Sequence, residues 1–212
     1  MFIPLKDTNP NLRRPRITYL LIAMNVGVFA LQQIVDMGVF VFSEDLWLRS
    51  PLQALPTLLS YQFLHGSLSH LLFNMLFLYI FGDNMEGSLG ARRFLIFYLI
   101  AGAFSALAEV WFDPNFGLIG PGLLIGASGS ISGVLAAYML RYPKAKILTW
   151  TLFIFFLEIP ALWFIGIWLA TQFLFEFLTP GSGTAYIAHI GGFVAGLILY
   201  GSYHRYRLSN IS

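Results

Sequence analysis

Cysteine is absent from the 212 residues, which removes disulfides, thiolate metal sites and a cysteine nucleophile from consideration. Charge is scarce as well. Asp, Glu, Lys and Arg make up 10% of the chain, against about 25% in soluble domains. The formal net charge of +2 is too small to suggest nucleic acid as a partner. No internal repeat is visible, so a repeat-built transporter architecture has no support. What remains is apolar: 58% of residues are hydrophobic and the mean hydropathy is +0.74, which places the chain among integral membrane proteins.

Six segments are candidates to span a bilayer: 17–35, 68–81, 94–112, 123–140, a stretch within 147–178, and 185–203. The fifth region holds too many apolar residues for one upright helix and too few for two, and Glu158 and Pro160 interrupt it. Residues 160–178 are therefore expected to span, with 147–159 an interfacial or partly re-entrant connector. The first apolar stretch follows Arg13, Arg14 and Arg16, but it is too long for a signal-peptide core and is expected to be retained. With the N-terminus inside, Lys6, Arg13, Arg14, Arg16, Arg92, Arg93, Arg141, Lys144, Lys146, Arg205 and Arg207 all fall inside. Arg49 alone falls outside. The expected fold is an all-α integral membrane protein: a single domain over 1–212, a compact bundle of six transmembrane helices with both termini (1–16 and 204–212) on the inner side. The first outer loop, 36–62, is rich in Phe and Leu and carries Trp47, so it is expected to lie partly in the membrane interface. The outer loops with Gly117, Gly120, Pro121 and Gly122, and with Pro180, Gly181, Ser182 and Gly183, suit either a gate or plain flexible connectors.

Two polar residues stand out at similar depth. Thirteen residues separate Ser128 from Arg141 and sixteen separate His189 from Arg205, so both are expected in the outer half of the bilayer, within about a turn of one another. Gly129, Gly133 and Ala137 recur every four residues on the fourth span, and Ala188, Gly192 and Gly196 do so on the sixth. Small-residue ridges of that period let membrane helices approach closely, which favours contact between these two spans. A serine hydroxyl becomes a competent nucleophile when a neutral imidazole takes its proton, and Ser128 with His189 meets that need. His70 and Asn74, four residues apart, share a face of the second span. The Asn74 amide, His70 and the unpaired first-turn N–H of Ser128 are candidate oxyanion donors; His70 and Asn74 serve equally well as polar glue between spans. Taken singly, Ser128 and His189 also have structural explanations, and only their joint occurrence favours chemistry. Glu109 and Glu176, late in their spans, are expected to be interfacial acids, which leaves a two-residue Ser-His arrangement.

These residues carry a family resemblance that extends from about residue 17 to residue 203. The chain resembles a bacterial rhomboid intramembrane serine protease in His65-Gly66-Ser67-Leu68-Ser69-His70-Leu71-Leu72-Phe73-Asn74, Gly82 through Glu86, Gly90 to Arg92, Gly126-Ala127-Ser128-Gly129, and Ala188-His189 with Gly192 and Gly196. The resemblance implies a Ser128 nucleophile, a His189 base, and an oxyanion site from His70, Asn74 and the Ser128 amide. It further implies Glu86 and Arg92 as inner-side structural groups and an outer cap over a wet cavity. The implied activity is endopeptidase cleavage in or near transmembrane segments of single-pass or other membrane proteins, without metal or organic cofactor, in a bacterial inner membrane with the site opening outward. The competing function is a catalytically silent relative that binds and escorts membrane helices.

Departures from the family pattern are informative. The Trp-Arg pair of many members is replaced by Trp47 and Arg49 with Leu48 between them. The aromatic residue that in some members packs on the imidazole, four positions after the nucleophile, is here Ser132, which leaves Tyr138 or a Phe as candidates to orient His189. His65 is expected as an outer-rim or first-loop hydrogen bonder and His204 at the inner interface.

Overall fold

The computed structural model describes residues 2–9, 14–113, 122–151, 155–179 and 182–209, apart from the side chains of Phe2 and of 207–209. Gly117, Gly120, Pro121, Pro180 and Gly181 of the two glycine-rich loops, and Arg13 of the basic N-terminal segment, lie outside these. In chain order the elements are β1 (Phe2–Asp7), α1 (Arg16–Gln32), β2 (Phe42–Ser43), α2 (Glu44–Arg49), α3 (Pro51–Ala54), α4 (Thr57–Ser60), α5 (Leu68–Leu89), α6 (Ala91–Phe112), β3 (Leu123–Leu124), α7 (Ser128–Arg141), β4 (Lys146–Thr151), β5 (Phe155–Pro160), α8 (Ala161–Leu178) and α9 (Tyr186–Ser209).

The chain is mostly helical, and α1 and α5 to α9 occupy the six apolar segments. Among the described residues, α6, α8 and 186–206 of α9 are each long and apolar enough to cross a membrane. α5 qualifies together with the helical stretch 51–63, from which it is bent by 83°. α1 has 17 residues and α7 only 14. The fourth segment begins its helix at Ser128, five residues later than expected, because Leu123–Leu124 pair with Phe42–Ser43 as a short antiparallel ladder.

To the expected helical membrane bundle the structure adds two small sheets. In the expected interfacial or partly re-entrant connector 147–159, the described residues form strands: β4 pairs antiparallel with β5 and, on its other edge, with β1 from the N-terminal segment. Ile147, Thr149 and Thr151 alternate as buried residues along β4. That two-residue period in a β-branched run is the signature of a half-buried strand. Asp7 of β1 accepts hydrogen bonds from the Tyr138 hydroxyl and the Asn84 amide, and Asn9 donates to the same hydroxyl at 2.8 Å, pinning the sheet to α5 and α7.

α7 is the axis of the bundle, with ten consecutive buried residues from Gly129 to Tyr138. It meets α9 along the two small-residue ridges. A methyl group added at Gly192 would overlap the Gly129 carbonyl, and one at Gly196 would overlap the Gly133 backbone. No hydrophobic force separates helix from lipid here, so close backbone approach and its dispersion energy hold the pair.

The segment 36–62, expected as the first outer loop, folds over the bundle as a cap. Phe42, Ala54, Leu58 and Tyr61 are buried, and the Tyr61 hydroxyl donates to the Gly102 carbonyl of α6 at 2.7 Å. Leu48, Leu52, Leu55 and Leu59 remain exposed, an apolar rim suited to an interface. Glu86 accepts the first three amides of α1, from Arg16, Ile17 and Thr18, at 2.8–3.0 Å, and the Thr18 hydroxyl at 2.9 Å. It thus caps a helix that Pro15 cannot cap. Arg92 is exposed at the start of α6.

Candidate active site

Ser128 is the first residue of α7 and follows Gly126, whose φ of 122° lies in the region open to glycine. A side chain at Gly126 would also sit 2.8 Å from the His70 ring, so glycine is needed twice: for the bend and for the room. The turn presents the Ser128 hydroxyl to a cavity of about 630 Å³ whose walls include His70, Asn74, Trp168 and His189. His189 lies one turn into α9. Its Nε2 is 2.8 Å from the Ser128 Oγ.

The imidazole has a second partner. Its Nδ1 is 2.7 Å from Oε1 of Gln172 on α8. Trp168 and Tyr186 flank the ring, at centroid distances of 6.0 and 6.4 Å. Gln172 is the polar residue that sequence reasoning missed. It shares the buried face of α8 with Ala161, Phe164 and Ile165. A glutamine on such a face must find partners, and that was the available signal.

His70 and Asn74 both line the cavity on α5, as expected. Asn74 donates one amide hydrogen to the His70 carbonyl at 3.1 Å and has a second to offer. The Ser128 N–H, at the first position of α7, has no acceptor within its own helix. The other serines are occupied elsewhere: Ser130 donates to Gln62 at 2.9 Å and Ser132 to the Ser128 carbonyl at 2.7 Å.

Two expectations need correction. Tyr138 is far along α7, hydrogen-bonded to Asp7 and Asn9, and has no part in orienting His189. Glu109 is buried and accepts the Ala188 N–H at 2.5 Å, because the first-turn amides of α9 require an acceptor in a dry setting. His65 is buried beside the His70 ring at 5.0 Å, and its hydrogen bond, to the Gln32 side chain at 3.0 Å, comes from its backbone N–H. Trp47 packs on Phe42, and Arg49 pairs with Asp45 at 2.6 Å on the exposed face of α2; neither reaches the cavity. His204 is exposed and stacks on Tyr200 near the end of α9.

Residues 53–206 match the Rhomboid domain. The chain belongs to the rhomboid family. It is 32% identical over 196 residues to Rhomboid protein 1, mitochondrial, of Saccharomyces cerevisiae, covering 88% of this chain and 53% of that one. Presenilin-associated rhomboid-like protein A, mitochondrial, of Danio rerio is 40% identical over 98 residues, covering 46% of this chain and 25% of the relative. The Homo sapiens presenilin-associated rhomboid-like protein, mitochondrial, is 34% identical over 130 residues, covering 60% and 33%. This chain therefore spans about half or less of the length of these relatives. All three are mitochondrial by name, so the expected bacterial type and bacterial inner membrane have no support among them.

Proposed function

We infer that this rhomboid is an intramembrane serine endopeptidase that hydrolyses peptide bonds in or near transmembrane segments of other membrane proteins. The observation that carries this reading is the 2.8 Å contact between the Ser128 hydroxyl and His189 Nε2 at the wall of an open cavity. His189 takes the hydroxyl proton as Oγ attacks the scissile carbonyl carbon, then delivers it to the leaving amide nitrogen. The carbonyl oxygen, now an anion, accepts from the Ser128 N–H, the free amide hydrogen of Asn74 and the His70 ring. Water entering the cavity attacks the acyl carbon as His189 takes its proton, and His189 returns that proton to the Ser128 Oγ as the ester C–O bond breaks, releasing the acid and restoring the hydroxyl. No cofactor enters these steps.

α1 and α5 to α9 are taken as six spans, with the cavity opening on the side opposite the basic residues. The shortness of α7 supports this arrangement. Fourteen residues rise about 21 Å, so a helix that reaches one face of a core about 30 Å thick starts well below the other. Its first turn then meets water from above. A substrate helix must unwind to expose a peptide bond there, which favours helix-weakening residues and a small side chain beside the cut.

Purified protein in detergent, incubated with a single-pass membrane substrate, tests the assignment. Cleavage is expected, and Ser128→Ala and His189→Ala abolish it. Undiminished cleavage by Ser128→Ala overturns the nucleophile, and absence of cleavage by the wild type across a broad substrate panel favours the helix-escorting relative.

A further inference from the structure

We propose that Gln172 is a positioning residue that fixes the tautomer and orientation of His189, making a Ser-His-Gln relay distributed over three helices. The proposal rests on the protease reading above and refines its site.

Orientation of the amide follows from its surroundings. Gln172 Nε2 donates to the Trp168 carbonyl at 3.1 Å and lies 3.3 Å from the Thr171 hydroxyl, while Thr171 itself donates to the same carbonyl at 2.6 Å. Turning the amide over would set its oxygen against the Trp168 oxygen, so Oε1 faces the imidazole. An amide oxygen only accepts, so His189 Nδ1 must carry the proton. Nε2 is left with its lone pair toward the Ser128 hydroxyl, the tautomer a general base needs. The side chain is 6% exposed, so the contact is sheltered from competing water.

Ser132 explains why such a group is required. Its hydroxyl is spent on the Ser128 carbonyl, one turn back, and supplies no surface for the imidazole. Trp168 flanks the ring tilted at 34°, and Tyr186 meets it edge-on at 87°. These rings limit tilting, but neither distinguishes Nδ1 from Nε2. The Gln172 oxygen does. It also faces positive charge when His189 takes the Ser128 proton, and a hydrogen bond to a charged group is stronger than one to a neutral ring.

The test measures kcat and KM for a single-pass substrate at several pH values with the wild type, Gln172→Met and Gln172→Glu, alongside thermal unfolding in the same detergent. Gln172→Met keeps the shape without an acceptor. It is expected to lower kcat about 10- to 100-fold with KM within about twofold. Gln172→Glu restores an acceptor and adds a negative charge that holds the proton on His189 more tightly; its second oxygen loses the donation to Trp168 and takes the Thr171 hydroxyl proton instead. It is expected to recover cleavage and to move the acid limb of the kcat/KM profile upward by about a pH unit. His70 on α5, Glu109 on α6, Glu176 on α8 and Tyr186 on α9 are titratable groups around His189 common to all three proteins, so a differential shift reports residue 172.

Gln172→Met cleaving at the wild-type rate overturns the proposal. If that variant does not fold, a Gln172→Glu profile superimposable on the wild type overturns it. Both failures leave the protease assignment standing as long as the wild type cleaves and Ser128→Ala does not; an inactive wild type removes the assignment itself.

Discussion

Gly192→Ala should damage this protein far more than one methyl group normally would. The new Cβ would fall inside van der Waals contact of the Gly129 carbonyl, on the backbone of the axial helix, where no flexible side chain can yield. Relief requires α9 to back away from α7 by about 1 Å or more. Overpacking of this kind costs about 1–3 kcal/mol, and alanine regains about 0.5–1 kcal/mol of helix propensity. A net loss of about 1–2 kcal/mol is expected. The catalytic consequence is larger. His189 rides on α9 one turn earlier, so the same displacement stretches the 2.8 Å contact with Ser128 to about 3.8 Å, beyond hydrogen bonding. Misplacement by 1 Å costs on the order of 100-fold in rate. The control is Gly201→Ala on the same helix, where an added methyl meets nothing within 4 Å and stability should rise slightly. Reversible unfolding in mixed micelles gives the energies, and turnover of a single-pass substrate gives the rates. Equal stability and equal activity in the two variants would refute the close-packing argument.

Glu86→Ala strips the acceptor from three backbone amides and the Thr18 hydroxyl, for an expected loss of about 2–4 kcal/mol in unfolding free energy. On β1, burial raises the Asp7 carboxyl above its ordinary 3.8, against the hydrogen bonds of Tyr138 and Asn9. Its contribution to stability is full below that value and lost as the pH rises through the folded value, so Asp7→Asn, which keeps both acceptor contacts, should flatten that slope in melting curves taken from pH 3 upward. Glu158 is exposed and its ion pair with Lys146 at 2.8 Å holds its carboxyl below the ordinary range; Glu158→Gln should leave the melting temperature unchanged at neutral pH. A chelator such as EDTA should leave cleavage unaffected, since the Ser-His steps need no metal.

Much of this architecture was legible in residue order because membrane helices advertise themselves by length and by small-residue spacing. The Gly129–Gly133 and Gly192–Gly196 ridges led directly to the helix pair that carries Ser128 and His189. The β-sheet was not legible. β1 finds its partner some 140 residues away, and the apolar run Phe155, Phe156 and Leu157, all exposed, hides the alternation of β4 next to it. Gln172 escaped because its meaning depends on which face of α8 turns inward. Glu109 was misread for a similar reason: position near the end of an apolar helix suggests an interfacial acid, whereas its neighbour is the start of α9, where bare amides need an acceptor.

Axial and lateral placement of His189 are controlled by different chemistry. The glycine ridges decide how near α9 comes to α7, but a smooth backbone contact resists sliding only weakly. Sliding is opposed from α6, where Ser105 donates to the Ala188 carbonyl at 2.7 Å and Glu109 accepts the Ala188 amide at 2.5 Å. Both contacts grip the residue just before His189. A slip of one residue along α9 would rise about 1.5 Å, enough to break both bonds and leave the Glu109 carboxyl group without this partner in buried surroundings. Ser105→Ala, which removes one of the two grips, should therefore lower kcat more than it lowers stability, and combining it with Glu109→Met, which removes the other acceptor, should cost more than the two single changes together, because either bond alone still holds the register. Strict additivity in that double-mutant cycle would show that the two groups act independently and that register is set elsewhere.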